Sequence, residues 1–114
     1  MVTWLTDLDE GLAAARERGV PVYALLTVDW CPWCKRLEEE TLVSPGVAVM
    51  LERLVAVRLD GDENEEIVDA YDFELYPTAL IFNADGEFVD LIEGFSVADE
   101  YLAFLEAMVG SDPR

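Results

Sequence analysis

Apolar positions along this chain change period several times, and each change marks an element. Leu8, Leu12 and Ala15 recur at helical spacing behind Thr6, which forms a capping box with Asp9 three residues on. Gly19-Val20-Pro21 stops that helix. Val22 to Val28 is a continuous apolar run, the mark of a strand covered on both faces. From Pro32 the pattern is helical again to about Leu42, with Leu37 inward and Glu38-Glu39-Glu40 outward. Pro32 suits a first turn, where its missing N–H costs nothing. Ser44-Pro45 repeats the cap-and-first-turn signal and predicts a further helical piece through about Arg53. Leu54 to Leu59 reads as a strand broken by Asp60-Gly61-Asp62. Glu63 to Tyr71 reads as a helix with Ile67, Val68 and Tyr71 on one face. Thr78 to Phe82 and Phe88 to Ile92 are strands joined by Asn83-Ala84-Asp85-Gly86, since Asp-Gly between apolar runs signals a hairpin. Gly94 ends the second strand. Ser96, with Asp99 three residues on, predicts the cap of a last helix carrying Tyr101, Leu102, Leu105 and Met108.

Strands separated by helices pair in parallel, and a tight hairpin pairs antiparallel. The expected class is therefore α/β, with helices on both faces of a central mixed sheet and an antiparallel C-terminal hairpin. No internal repeat, low-complexity tract or linker interrupts the chain, and its 114 residues fit one domain, taken as residues 1–114. Hydrophobic residues make up 53% of it, which favours a folded core over disorder. No apolar stretch is long enough to span a bilayer. Met1 to Asp7 shows no basic segment followed by an apolar one, so a cytoplasmic location is expected, or a periplasmic or secreted one if the chain is a trimmed mature form.

Charge changes the picture of partners more than that of fold. Twenty-five acidic against seven basic residues give a net charge of −18, which argues against nucleic acid and anionic membrane surfaces. Solubility or a saline or hot habitat is the plainer meaning of that charge; attraction of basic partner proteins is the functional one. Lys35 is the only lysine.

Cys31-Pro32-Trp33-Cys34 holds the only two cysteines, at the junction of an apolar strand and a helix. A helix N-terminus offers unpaired N–H groups and partial positive charge, and both favour a thiolate, the attacking species in disulfide exchange. Lys35 directly after the pair would add to that influence. Three other readings compete. A zinc site is poorly supplied, because the chain has no histidine and no second cysteine pair. A structural disulfide closing so short a loop constrains the unfolded chain little. Two packed thiols would need deep burial, which the polar neighbours Asp29, Lys35 and Arg36 oppose. The dithiol redox reading is the one with a specific mechanism.

Trp30-Cys31-Pro32-Trp33-Cys34-Lys35 resembles the thioredoxin active-site signature. The segment from Val57-Arg58-Leu59-Asp60 to Tyr76-Pro77-Thr78 is similar to that family's second strand, third helix and cis-proline loop. Asp85-Gly86-Glu87 and Gly94-Phe95 resemble its hairpin and the bend before its last helix. The leading helix and Thr41 to Val47 look more like bacterial thioredoxin-like thiol:disulfide interchange domains than thioredoxin itself. The resemblance implies a thioredoxin fold, a three-layer α/β/α sandwich, and residue roles. Cys31 would be the exposed nucleophile and Cys34 the buried resolving thiol. Pro77 would be cis and lie against the pair, and the Tyr76 backbone would pair with an extended substrate. Trp30, Pro32, Trp33 and Thr78 would complete the substrate surface. The implied partners are protein dithiols and disulfides and a redox protein that donates or accepts electrons, with no metal or cofactor and a monomeric chain. The implied activity is that of a protein-disulfide oxidoreductase. The alternative is an interaction module of the same fold without redox turnover.

Two departures stand out. Pro32-Trp33 replaces the family's Gly-Pro and resembles the glutaredoxin pair, which leaves the direction of reaction open. The family's buried acid, six positions before the first cysteine, is here Leu25, while Asp29 is expected at the strand end facing solvent. Without an internal base, slow resolution would suit trapping or oxidising partners.

Overall fold

The alternating runs become, in order, β1 (Trp4–Leu5), α1 (Leu8–Arg18), β2 (Val22–Thr27), α2 (Pro32–Arg36), a π-helical turn (Leu37–Thr41), α3 (Pro45–Glu52), β3 (Val55–Asp60), α4 (Glu65–Tyr71), β4 (Thr78–Phe82), β5 (Phe88–Glu93) and α5 (Ala98–Val109). This computed structural model describes residues 2–109, so Met1 and residues 110–114 of the expected domain lie outside the described residues. Five strands form one sheet in the order β1-β3-β2-β4-β5. β3 pairs in parallel with β1 and β2, whereas β4 pairs antiparallel with β2 and β5. The two-residue β1, too short for a periodicity signal, was not expected.

β2 is central and buried along its whole length, as its unbroken apolar run requires. Its side chains alternate between two cores. Tyr23 and Leu25 face Leu37, Val47, Leu51, Tyr101 and Leu105 of the α2–α3–α5 layer. Val22, Ala24 and Leu26 face the α1–α4 layer through Ala15, Leu12, Ile67 and Val68. Tyr23 and Tyr101 hydroxyls meet at 2.6 Å inside the first core and join β2 to α5. Gly11 lets α1 lie directly on Val57 of β3, where any Cβ would collide with the valine side chain. The sheet is three-layered and mixed, as expected. Its outer strands are irregular: β1 is two residues long, and β5 carries Val89 as an extra residue opposite Ile81 and Phe82. Among the described residues no helix is long and apolar enough to cross a membrane.

Helix ends differ from the sequence expectation in four places. Asp7, not Thr6, caps α1, accepting from the Asp9 N–H at 2.9 Å. Ser44 holds the N-cap position of α3 ahead of Pro45, as expected, but its side chain makes no cap bond; its hydroxyl donates to the Thr41 carbonyl at 2.8 Å. α4 starts at Glu65, because Asn64 Nδ2 donates to the Asp60 carbonyl at 2.8 Å and holds the preceding turn open. α5 starts at Ala98, the Tyr101 N–H bonding to Val97 O, so Ser96 lies one residue too early to be its cap.

Candidate active site

Thr27 and Asp60 end β2 and β3 in register, and Thr78 begins β4 at the same end. Three loops therefore converge there, carrying Cys31, Gly61 and Pro77. Cys31 is the N-cap of α2, and its sulfur accepts the Cys34 N–H at 3.2 Å. The Cys-x-x-Cys spacing is thus that of an N-cap and the third helical residue, and a sulfur replaces the usual capping oxygen. Any charge developing on Cys31 has this N–H as a partner. The Cys31 thiol also donates to the Tyr76 carbonyl at 3.5 Å. Both thiols are free. Cys34 is 1% exposed and Cys31 only 6%, so the polar neighbours do not keep the pair open and Cys31 is not the exposed thiol expected. Val28 and the partly buried Tyr76 pack against the pair.

The Tyr76–Pro77 bond is cis, as the resemblance implies. The Tyr76 ring sits on the bare backbone of Gly61, where an added Cβ would stand 2.6 Å from two ring carbons. Trp30 packs edge-on to Tyr76, with ring centroids 5.9 Å apart, and its Nε1 donates to Asp62 Oδ2 at 3.0 Å. Thr78 is fully buried, its hydroxyl donating to the Leu75 carbonyl at 2.6 Å, so it braces the loop from within and is not part of its outer surface.

The opposite wall is Trp33, 51% exposed, with its ring centroid 5.5 Å from that of Phe95. The Arg36 guanidinium carbon lies 5.0 Å from the Trp33 centroid and 4.6 Å from that of Phe95, a cation on two aromatic faces. Arg36 is held there by Glu40 at 3.1 Å. Phe95 is placed by the π-helical turn, which rotates Thr41 inward so that its hydroxyl donates to the Ser96 carbonyl at 2.7 Å. Pro32 and Lys35 are exposed, and no hydrogen bond or ion pair joins the Lys35 ammonium to either sulfur among the described residues.

Leu25 is buried in the α2–α3–α5 core, and no carboxylate is among the groups acting on Cys34. Burial pushes the Cys34 thiol up to about 11; the hydrogen bond with Cys31 adds to this, and that with the Thr27 hydroxyl works against it. Thr27 shares a sheet face with Leu25, two residues nearer the dithiol. Its hydroxyl also donates to Glu38 Oε2 at 3.2 Å. Glu38 is in turn paired with Arg58, at 2.6 Å to Nε and 3.2 Å to Nη2. Glu38 was expected outward with Glu39 and Glu40; the start of the π-helical turn leaves it half-buried and aimed at Thr27. Thr27, Glu38, Gly61 and Phe95 are thus site residues that the sequence reading passed over. Glu38 did carry a signal, since it follows Cys34 by four residues and so shares its helical face.

Comparisons with known proteins fit this geometry. A family model described as thioredoxin-like matches residues 3–84. The thiol:disulfide interchange protein DsbD of Klebsiella pneumoniae is 34% identical over 90 residues, covering 75% of this chain and 15% of that protein. Its counterpart in Ralstonia nicotianae is 28% identical over 94% of this chain and 18% of its own length. The chain therefore spans less than a fifth of these relatives. Among solved structures, a thioredoxin from Thermus thermophilus superposes with a TM-score of 0.83 at 27% identity, covering 94% of this chain and 87% of that one. The reduced C-terminal domain of DsbD from Neisseria meningitidis gives a TM-score of 0.74 at 27% identity, covering 89% and 93%.

Proposed function

The chain belongs to the thioredoxin-like family, and on that premise we propose that its Cys31–Cys34 pair exchanges electrons with protein disulfides. The Cys31 thiolate attacks one sulfur of the partner's disulfide. A mixed disulfide forms and the partner's other sulfur leaves as a thiolate that takes up a proton. Cys34, losing its proton, then attacks Cys31 Sγ, closes the Cys31–Cys34 disulfide and releases the second partner thiol. Two electrons pass to the partner, and a redox protein restores the dithiol; run backwards, the same steps oxidise a partner. The observation carrying this reading is the capping of the Cys31 sulfur by the Cys34 N–H, which brings nucleophile and resolving thiol onto one helical turn.

Thr27 and Glu38 take the place of the acid absent at Leu25. The Thr27 hydroxyl donates to Glu38 and acts on the Cys34 thiol, so it can accept the thiol proton while passing its own to the carboxylate. Trp30, Pro32, Trp33 and the Tyr76–Pro77 backbone form the partner-binding rim, with strand-like pairing to Tyr76. Insulin reduction with a Cys31→Ser control tests the activity: turnover in the native chain and none in the variant is expected. A native chain that folds but leaves insulin intact would favour the interaction-module reading. The reduction potential sets direction: about −270 mV marks a reductant, and about −120 to −180 mV an oxidant or isomerase.

A further inference from the structure

The wall that carries Trp33 is assembled from parts far apart in the chain. Its indole meets Phe95 of the β5–α5 bend, with ring centroids 5.5 Å apart. The Arg36 guanidinium closes the triangle, 5.0 Å from one centroid and 4.6 Å from the other. Both Glu40 oxygens engage that guanidinium, at 3.1 and 3.2 Å, so its charge is already matched and its planar face serves as packing. The bend itself is pinned on both sides of Phe95. The Gly94 N–H donates to the carbonyl of the cis-proline Pro77 at 2.7 Å, and the Ser96 carbonyl accepts from the buried Thr41 hydroxyl, also at 2.7 Å. Thr41 reaches the bend from the π-helical turn, where the Leu42 N–H bonds to Leu37 O, five residues back, at 2.9 Å.

We propose that Thr41 is a positioning residue for partner binding. Its hydroxyl holds the bend, the bend holds Phe95, and Phe95 with Arg36 holds the half-exposed Trp33 ring in one orientation beside the dithiol. This rests on the exchange reading above and adds what prepares its rim for a protein partner. A free indole gives up rotamer freedom at every encounter; one already stacked gives up little, and the gain falls on binding and not on the sulfur chemistry. Cys31 takes its own hydrogen bonds from elsewhere, the Cys34 N–H and the Tyr76 carbonyl.

The test compares two disulfides as oxidants of the reduced full chain: insulin, which must meet the rim, and 2-hydroxyethyl disulfide, which is too small to need it. Oxidation is followed by acid quench, alkylation and mass spectrometry. Thr41→Val keeps the side-chain shape and the backbone bonds to Ser44 and removes the hydroxyl. It should slow oxidation by insulin about 2- to 10-fold, the equivalent of ordering one side chain, and leave the small disulfide unaffected. Thr41→Ser should restore the insulin rate. Arg36→Lys keeps the charge, loses the planar stack and should slow insulin alike. By NMR, the Arg36 side-chain protons of the native chain should resonate upfield, because they lie against two rings, and Thr41→Val should move them toward their unstacked positions. Equal slowing with both disulfides, an insulin rate unchanged in Thr41→Val and Arg36→Lys, no rescue by Thr41→Ser, or Arg36 signals unmoved by Thr41→Val would overturn the positioning role while leaving exchange intact. A native chain oxidised by neither disulfide, with Cys31 still alkylated by iodoacetamide, would overturn the exchange reading and the positioning role with it.

Discussion

Cys34 is a thiol at neutral pH, because its burial raises it to about 11. Burial disfavours the thiolate, so below that value the reactive fraction grows roughly tenfold per pH unit. The decay of a mixed disulfide on Cys31, followed by mass spectrometry after rapid quench, should accelerate steadily from pH 6 to 9. Thr27→Val keeps the shape of the side chain and removes the hydroxyl; it should slow that decay about tenfold or more at pH 7. An unchanged decay would remove Thr27 from the proton route. Leu25→Asp supplies a base from below, at a stability cost of about 2–5 kcal/mol for a carboxyl in an apolar core. The new acid's folded pKa would be raised, so its penalty is smallest at low pH and grows as pH rises through that value. Resolution at pH 7 should speed up while the melting temperature falls. The two cysteines and the missing acid were legible in sequence because a motif and a position identify them. Glu38 was not, because Glu38-Glu39-Glu40 reads as one solvent-facing acidic run, which masks its four-residue spacing from Cys34.

Elements meet through a few contacts that substitution can isolate. Tyr101→Phe leaves the Tyr23 hydroxyl buried without its partner at 2.6 Å, and should cost about 1–3 kcal/mol by urea unfolding. The double variant with Tyr23→Phe removes both polar groups and should recover most of that loss. No recovery would mean that shape, not the hydrogen bond, joins β2 to α5. Gly61→Ala drives a methyl group into the Tyr76 ring. The ring must shift, and the carbonyl facing Cys31 and the Trp30 contact shift with it. Altered Trp fluorescence and slower insulin reduction are expected, against an unchanged pair if the ring can move freely. Strand order and both helical layers were legible because apolar period reports burial directly. Helix starts were less so: Thr6, Ser44 and Ser96 all have capping chemistry, but Asp7 and Val97 hold the cap positions beside two of them, and the Ser44 hydroxyl, at its cap position, turns back to Thr41.

At the scale of the molecule, a net charge of −18 on 114 residues opposes compaction. Salt screens that repulsion between charges more than about 10 Å apart at 0.1 M. The melting temperature should therefore rise between 10 mM and 0.5 M NaCl, measured by calorimetry; a fall would mean that attractive pairs such as Arg58–Glu38 outweigh repulsion. The fold class was legible at this scale, whereas the two-residue β1 was beyond any periodicity. That short strand has a consequence of its own. A sheet invites addition of foreign strands along an open edge, and this sheet ends in two bonded residues on one side and a strand broken by Val89 on the other. Stacking of copies into fibrils lacks a straight template at either edge, so a crowded solution of this protein should stay dispersed even when its charge is screened.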